Sequence, residues 1–574
     1  MSELRVWAPV AERVEAVVGT RRLEMRSDDG GWWTLGRSLP AGTDYAFSLD
    51  GGDPLPDPRS PWQPEGIHGP SRTVDHAAFA WTDGGWRAPP LGSGALYEAH
   101  VGTFTPGGTF ASAIERLPEI AGLGITHLEL LPVAEFGGDR GWGYDGVDLY
   151  APHHGYGGPE GLKRLVDAAH GIGLAVILDV VYNHLGPVGN HLARFGPYFT
   201  DRYATPWGDA VNFDDRGSHE VRGFVVDNAL MWLRDYHVDG LRLDATHAIF
   251  DTSALNILEE IGREVDRLEL AVGRPLVVIA ESDRNDPRLV RSTDAGGYGL
   301  DAAWNDDFHH ALHALLSGER AGYYADFGAM DQLADALENG WVFRGDYQPG
   351  REARQGRELV GVTGDRFIGF IQNHDQVGNR AIGDRFAHLA GLGRAKIAAA
   401  VVLTAPFVPL VFQGEEWAAS TPFQYFTDHR DSELGEAVRR GRRAEFAAFG
   451  WDPAHVPDPQ DPATHARSVL RWEERATAPH ADMLEWYRAL LALRQATPDL
   501  LDPDLATVRC RHDADAGWFV LERGEILLGF SLADVPVAVD AAGEVLLASE
   551  PGVGVDGDRL RLVPDSAAIV RVAR

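Results

Sequence analysis

Leu174–His184 reads LAVILDVVYNH and Gly240–Ala245 reads GLRLDA, and in both an apolar run of strand length ends in acids, His or Arg. The pattern recurs at Leu276–Ser282 (LVVIAES), Ile368–Asp375 (IGFIQNHD) and Pro409–Glu415 (PLVFQGE). Each apolar half has the length and composition of a strand buried on both faces, as in a parallel sheet. Each polar tail then stands where such a strand leaves the core. In a barrel of parallel strands wrapped by helices, that carboxyl-end rim is where chemistry is built. The five segments place Asp179, His184, Arg242, Asp244, Glu281, His374 and Asp375 there.

Strand–helix alternation extends on both sides of these segments, from Ala95 onwards. It yields eight candidate strands: Ala95–Val101, His127–Pro132, Leu174–Val181, Gly240–Asp244, Leu276–Glu281, Ala302–Trp304, Phe367–Gln372 and Pro409–Phe412. Amphipathic segments lie between them. One is Glu160–His170, with Leu162, Leu165, Val166 and Ala169 on one face. Leu185–Glu220 lacks helix periodicity and reads as an irregular excursion over the barrel mouth. Before Ala95 the chain alternates in strands (Leu4, Val6, Ala8; Val14, Ala16, Val18; Tyr45, Phe47, Leu49), as a small antiparallel sandwich does. Asp482–Arg494 is an amphipathic helix, and beyond Pro498 short strands return at Trp518–Leu521, Ile526–Phe530, Val545–Leu547 and Ala568–Val572. The expected fold class is α/β: a (β/α)8 TIM barrel over 91–497, an N-terminal β-sandwich over 1–90 and a C-terminal β-sandwich over 498–574.

Bulk composition narrows the function. A formal net charge of -33 argues against a nucleic-acid or acidic-membrane partner. Cys510 is the only cysteine, which excludes an internal disulfide and a Cys-based metal cluster. The start MSELRVWAPV lacks a positive region followed by an apolar core, and no uninterrupted apolar stretch approaches membrane-spanning length. The expectation is a cytoplasmic protein without a membrane partner. The 16 Trp and 15 Tyr supply flat faces that suit sugars, although most such rings serve cores.

Asp244 and Glu281 end the fourth and fifth candidate strands, and neighbouring strands lie about 4.8 Å apart. Retaining glycosidases need two carboxyls roughly 5–5.5 Å apart, one attacking the anomeric carbon and one protonating the leaving oxygen. Taken singly, either acid reads better as a turn-capping residue, because Asp and Glu abound in such loops. Strand alternation sends Arg242 to the same side as Asp244, where a guanidinium favours an ionised nucleophile. Glu281 follows an apolar run, a setting that raises a carboxyl pKa and suits a general acid. His374-Asp375 would add a second carboxylate, able to bind hydroxyls and stabilise developing positive charge. No third ligand at zinc spacing follows that pair, and no Cys/His cluster offers an evident metal site.

DVVYNH, GLRLDA, AES and NHD, in this order and spacing, resemble the four signature stretches of the α-amylase superfamily of glycoside hydrolases. The resemblance covers about Ala95 to Trp417. It implies that Asp244 is the nucleophile, Glu281 the general acid/base and Asp375 the acid that stabilises the transition state. It implies supporting roles around the cleaved sugar for Asp179, His184, Arg242 and His374, a stacking role for Tyr144, and Asp145 as its partner.

RGWGYDG at Arg140–Gly146, YEAHVGTFTPGGTF at Tyr97–Phe110, WNDDFHH at Trp304–His310 and FQGEEWAASTPFQYFTDH at Phe412–His429 resemble the maltooligosyltrehalose trehalohydrolase family within that superfamily. This narrower resemblance implies hydrolysis of the α-1,4 bond next to a terminal trehalose unit, with maltooligosyl trehalose as substrate and a maltooligosyltrehalose synthase as pathway partner. No metal or organic cofactor is expected. The run after Glu281, Ser-Asp-Arg-Asn, departs from the more acidic or His-containing run that the family leads one to expect. A branching or debranching enzyme shares the same chemistry and stays open as a second reading. A catalytically inactive glycan-binding protein on the same barrel is a third, opposed by the presence of all three acids. Discrimination between leaving groups must come from beyond the cleaved bond. The candidates are Asp306, Asp307 and His309 after the sixth strand, and Glu415, Glu416 and Trp417 after the eighth; rim bracing is the plain alternative for each.

Overall fold

The computed structural model describes residues 3–448 and 452–572. Its centre is a closed barrel of eight parallel strands: β1 (Leu96–Ala99), β2 (His127–Leu130), β3 (Ala175–Val180), β4 (Gly240–Leu243), β5 (Val277–Ala280), β6 (Ala302–Trp304), β7 (Phe367–Gly369) and β8 (Val408–Phe412). They pair in chain order, and β8 closes the ring on β1 through Leu410 opposite Leu96 and Phe412 opposite Glu98. All eight strands expected from sequence are present, each within about two residues at its amino end.

The barrel interior is stratified. Leu96, Ile177, Ile279, Ile368, Val408 and Leu410 form an apolar cluster at one level. Two residues further along their strands stand Glu98 and Asp179, and the parallel register sets Glu98 beside Glu129 and Asp179 beside Arg242. The carboxyl half of the barrel is therefore ionisable and the amino half is oil-like. Such a gradient leaves polar groups only where solvent and ligand can reach them from the rim.

Helices cover the outside. Gly158–Gly171 has Pro159 in its first turn and Leu162, Leu165, Val166 and Ala169 buried against the sheet. Ile257–Val272 is capped by Asn256, whose side chain accepts from Leu258 N (2.9 Å), and stops at left-handed Gly273. Phe386–Thr404 has the length and composition of a membrane span and is about half buried inside the protein, which qualifies the reading that no stretch approaches such length. Its buried half, Ile397–Thr404, packs against the helix His480–Ala496 and the strand Ser566–Val572.

The N-terminal strands form two antiparallel sheets, joined to the barrel by Trp86 Nε1 donating to Asp239 (2.8 Å) and Arg59 donating to Tyr150 and Asp227 (2.8 Å each). At the other end, a five-stranded sheet holds the four strands read from sequence plus Val508–Asp513. A three-stranded sheet of Val537–Asp540, Gly554–Asp556 and Arg559–Leu562 faces it across Val520, Leu527, Val539, Leu560 and Val570. The excursion Leu185–Glu220 is more regular than its sequence suggests. A hairpin pairs Phe199–Thr205 with Gly208–Val211, and the helix Ser218–Asp235 begins inside the segment.

Candidate active site

Arg242 organises the rim. It lies on β4, fully buried, with its guanidinium 4.3 Å from the Trp304 ring centroid. Nη1 donates to Asp179 Oδ2 (2.7 Å) and Asp244 Oδ1 (2.8 Å), and Nη2 lies 3.0 Å from Glu281 Oε2. One planar cation thus joins carboxylates from the ends of β3, β4 and β5, a geometry that a lysine could not reproduce. Ala245, directly after Asp244, sits in the left-handed region (φ 38). That turn aims its N–H at Glu281 Oε2 (2.6 Å) and fixes the second acid relative to the first.

The electrostatics differ from the sequence expectation at one point. Sequence reasoning placed the raised carboxyl on Glu281 and the ionised one on Asp244. In the structure, burial and the facing Glu281 charge push the Asp244 carboxyl well above its ordinary range, against the opposing pull of Arg242. Burial also raises Asp179, to about 6.

Opposite this cluster stands His374, at the end of β7. Tyr144 stacks on its ring (centroids 5.1 Å apart, planes 18° from parallel). The Tyr144 hydroxyl donates to Asp179 Oδ2 (2.6 Å) and lies 2.7 Å from His374 Nε2. Asp375 reaches within 3.5 Å of the same nitrogen and is the most exposed of the three principal acids, at 34%. His184 Nε2 meets the Tyr144 carbonyl (3.0 Å), while its ring stacks on Trp207 (4.5 Å). Asp145 is half-buried, 4.0 Å from His429 Nε2. The structure therefore gathers Tyr144, Asp179, His184, Arg242, Asp244, Glu281, His374 and Asp375 around one rim. Asp306 joins them, since Glu281, Asp283 and Asp375 are the charges that help push its carboxyl up after burial itself.

The other rim candidates are placed elsewhere, against the framework. Asp307 Oδ2 accepts the N–H groups of Val342 and Phe343 (2.9 Å each) and the Asn285 amide (2.8 Å). His309 is buried beside Tyr324 and Phe370. Glu415 accepts from Tyr487 (2.8 Å), Glu416 from Tyr97 (2.9 Å), and Trp417 is buried against Trp472. Glu415, Glu416 and Trp417 lie on a short helical turn after β8, and all three are buried.

Sequence reasoning missed Glu98 and Glu129, whose positions inside β1 and β2 read as core alternation. Tyr-Glu-Ala-His carried the only available signal: an acid at an inward position of an otherwise apolar strand. It also missed a histidine cluster. Glu135, His153 and His154 bring ligand-type atoms within 4.8 Å of one another, a donor set that could hold a metal ion. Their shared atoms are already engaged, with Glu135 Oε1 3.2 Å from His153 Nδ1 and 2.7 Å from His154 Nδ1.

Comparison with known proteins places this geometry. Residues 71–195 match the alpha amylase catalytic domain, and 503–569 match a domain of unknown function, DUF3459. The malto-oligosyltrehalose trehalohydrolase of Arthrobacter ramosus is 51% identical over 99% of both chains. That of Mycobacterium tuberculosis is 45% identical over the full length of both. A solved structure from Salmonella typhimurium, provisionally assigned as an alpha amylase, superimposes with a TM-score of 0.92 at 38% identity, covering 100% of this chain and 97% of its own. By full-length similarity the chain belongs to the malto-oligosyltrehalose trehalohydrolase family.

Proposed function

We propose that this protein hydrolyses the α-1,4 glucosidic bond next to the terminal trehalose of maltooligosyl trehalose, with retention of configuration. The observation that carries the chemistry is the Arg242 guanidinium held in common by Asp244 and Glu281. It keeps two carboxyls from adjacent strands close together, as a double displacement requires. Family membership at 51% identity over nearly the whole chain supports the choice of substrate.

In the first step an Asp244 oxygen attacks the anomeric carbon of the glucose over Tyr144. Glu281 gives its proton to the bridging oxygen, the C–O bond breaks, and trehalose departs with that proton. The maltooligosyl chain stays as an ester on Asp244. In the second step the Glu281 carboxylate takes a proton from water, whose oxygen attacks the same carbon and frees Asp244. The first step requires the proton on Glu281 and an ionised Asp244, the state that the Arg242 guanidinium favours at Asp244. Asp375, the exposed acid, faces the sugar hydroxyls and stabilises the oxocarbenium-like charge. Because the substrate already contains trehalose, a synthase that rearranges the reducing end of a maltooligosaccharide must act before this enzyme.

Product analysis on maltooligosyl trehalose, maltooligosaccharides, amylopectin and pullulan in parallel tests the reading. Free trehalose from the first, with its partner chain released as the α-anomer, is the expected result. New α-1,6 branches, or linear chains freed from pullulan, would instead establish the branching or debranching alternative.

A further inference from the structure

Glu98 is buried on β1 and stands outside every step above. Both its carboxylate oxygens bind one residue of β7. Oε2 accepts the backbone N–H of His374 (2.9 Å), and Oε1 lies 2.5 Å from His374 Nδ1. At the far side of the same ring, the Tyr144 hydroxyl gives its hydrogen to Asp179 and so can only accept from His374 Nε2. A carboxylate at one ring nitrogen and a committed hydroxyl oxygen at the other leave room for a hydrogen on both.

We propose that Glu98 is a positioning residue: its two-point grip on His374 holds the imidazole doubly protonated and fixes Nε2–H as a charged donor to the Tyr144 hydroxyl, beside the sugar stacked on that ring. The inference rests on the glycosidase reading, because it needs a sugar at that place. Charge accounting agrees. Glu98, Glu129, Asp179 and Asp375 face His374 from β1, β2, β3 and its own turn, while Arg242 faces it from β4. Burial alone would strip the imidazole of its proton, yet Asp375 and then Glu98 push His374 up to about 9. Glu129, with both oxygens buried and unbonded, is pushed well above the carboxyl range, which leaves Glu98 as the partner in hydrogen-bonding contact on that side.

The test compares wild type with Glu98→Gln, an isosteric change that removes the charge. At about pH 5 both proteins carry a protonated His374, and kcat/KM should differ by no more than about threefold. Toward about pH 8 the variant's imidazole loses its proton while the wild type keeps it, and the ratio should grow to about tenfold or more. In a His374→Asn background the same substitution should give a ratio that does not move with pH. A pH-independent ratio in the parent background would overturn the proposal. Should Glu98→Gln fail to fold, hydrogen–deuterium exchange at the His374 ring C–H in the wild-type protein decides. A midpoint near 9 supports the grip, and one at or below 6.5 removes it. That exchange is measured without substrate, so a wild type inactive on every α-glucan would sink the glycosidase reading while leaving the Glu98–His374 question answerable.

Discussion

Acids stand at the ends of several barrel strands, and the structure sorts them into two groups. After β4, β5 and β7, Asp244, Glu281 and Asp375 remain 10%, 15% and 34% exposed, and each has a cationic or imidazole neighbour: Arg242 for the first two, His374 for the third. After β6 and β8, Asp307, Glu415 and Glu416 are buried and bind neutral donors, namely two backbone amides, Tyr487 and Tyr97. The first group keeps unspent acceptor capacity facing the rim. The second is buried and tied to framework donors that hold loops and a helix in place. What separates a reacting acid from a bracing one is therefore the partner and the remaining access, not the residue type or its position at a strand end.

The sharpest way to break this comparison is to neutralise one acid of the first group. Asp244→Asn should reduce trehalose release by on the order of 10^4-fold while the thermal midpoint stays within a few degrees of wild type. Comparable activity in a pure preparation would remove Asp244 from the proposed nucleophile role.

A second test crosses the groups. Asp306→Ala should lower kcat/KM on maltooligosyl trehalose by about tenfold more than on a plain maltooligosaccharide, since the charges of Glu281 and Asp375 act on its buried carboxyl. Asp307→Ala and Glu416→Ala should leave that ratio unchanged and cost about 1–3 kcal/mol of stability, because each strands buried donors. Urea melts and paired kinetics measure both. Equal ratios for all three variants would dissolve the distinction.

A subtler effect lies in pH. Burial pushes Glu415 and Glu416 up to about 8 each, so the folded chain keeps protons that an unfolded chain gives up in the ordinary carboxyl range. Their contribution is complete below that range and is lost as pH climbs toward 8. The thermal midpoint of wild type should therefore fall more steeply between about pH 5 and 8 than that of Glu415→Gln. Parallel slopes would mean that Glu415 is already ionised in the fold. The smallest effect is expected from chelation. Nucleophile, proton and charge stabilisation all come from side chains, so dialysis against a strong chelator should leave activity unchanged. Loss of activity restored by a divalent cation would direct attention to Glu135, His153 and His154.

Much of the barrel was legible because its strands are buried on both faces, which writes unbroken apolar runs such as Ala175–Leu178 into the chain. The C-terminal strands Val508–Asp513 and Arg559–Leu562 were missed for the opposite reason. Each presents arginines to solvent at alternate positions and buries too few residues to stand out from a loop. The hairpin at Phe199–Val211 is largely exposed, so no hydrophobic period marks it. Among site residues, those at strand ends were readable, because polar groups there break an apolar run. Glu98 and Glu129 sit inside the run, and only the closed register reveals that they face a polar layer.

That register has a consequence for biosynthesis. Glu98 meets His374 only across the seam where the last barrel strand pairs with the first, 276 residues apart in the chain. A growing polypeptide therefore carries Asp244 and Glu281 long before it can use them. His374 and Asp375, which complete the rim, and β8, which closes the ring, are the last of the barrel elements to be made.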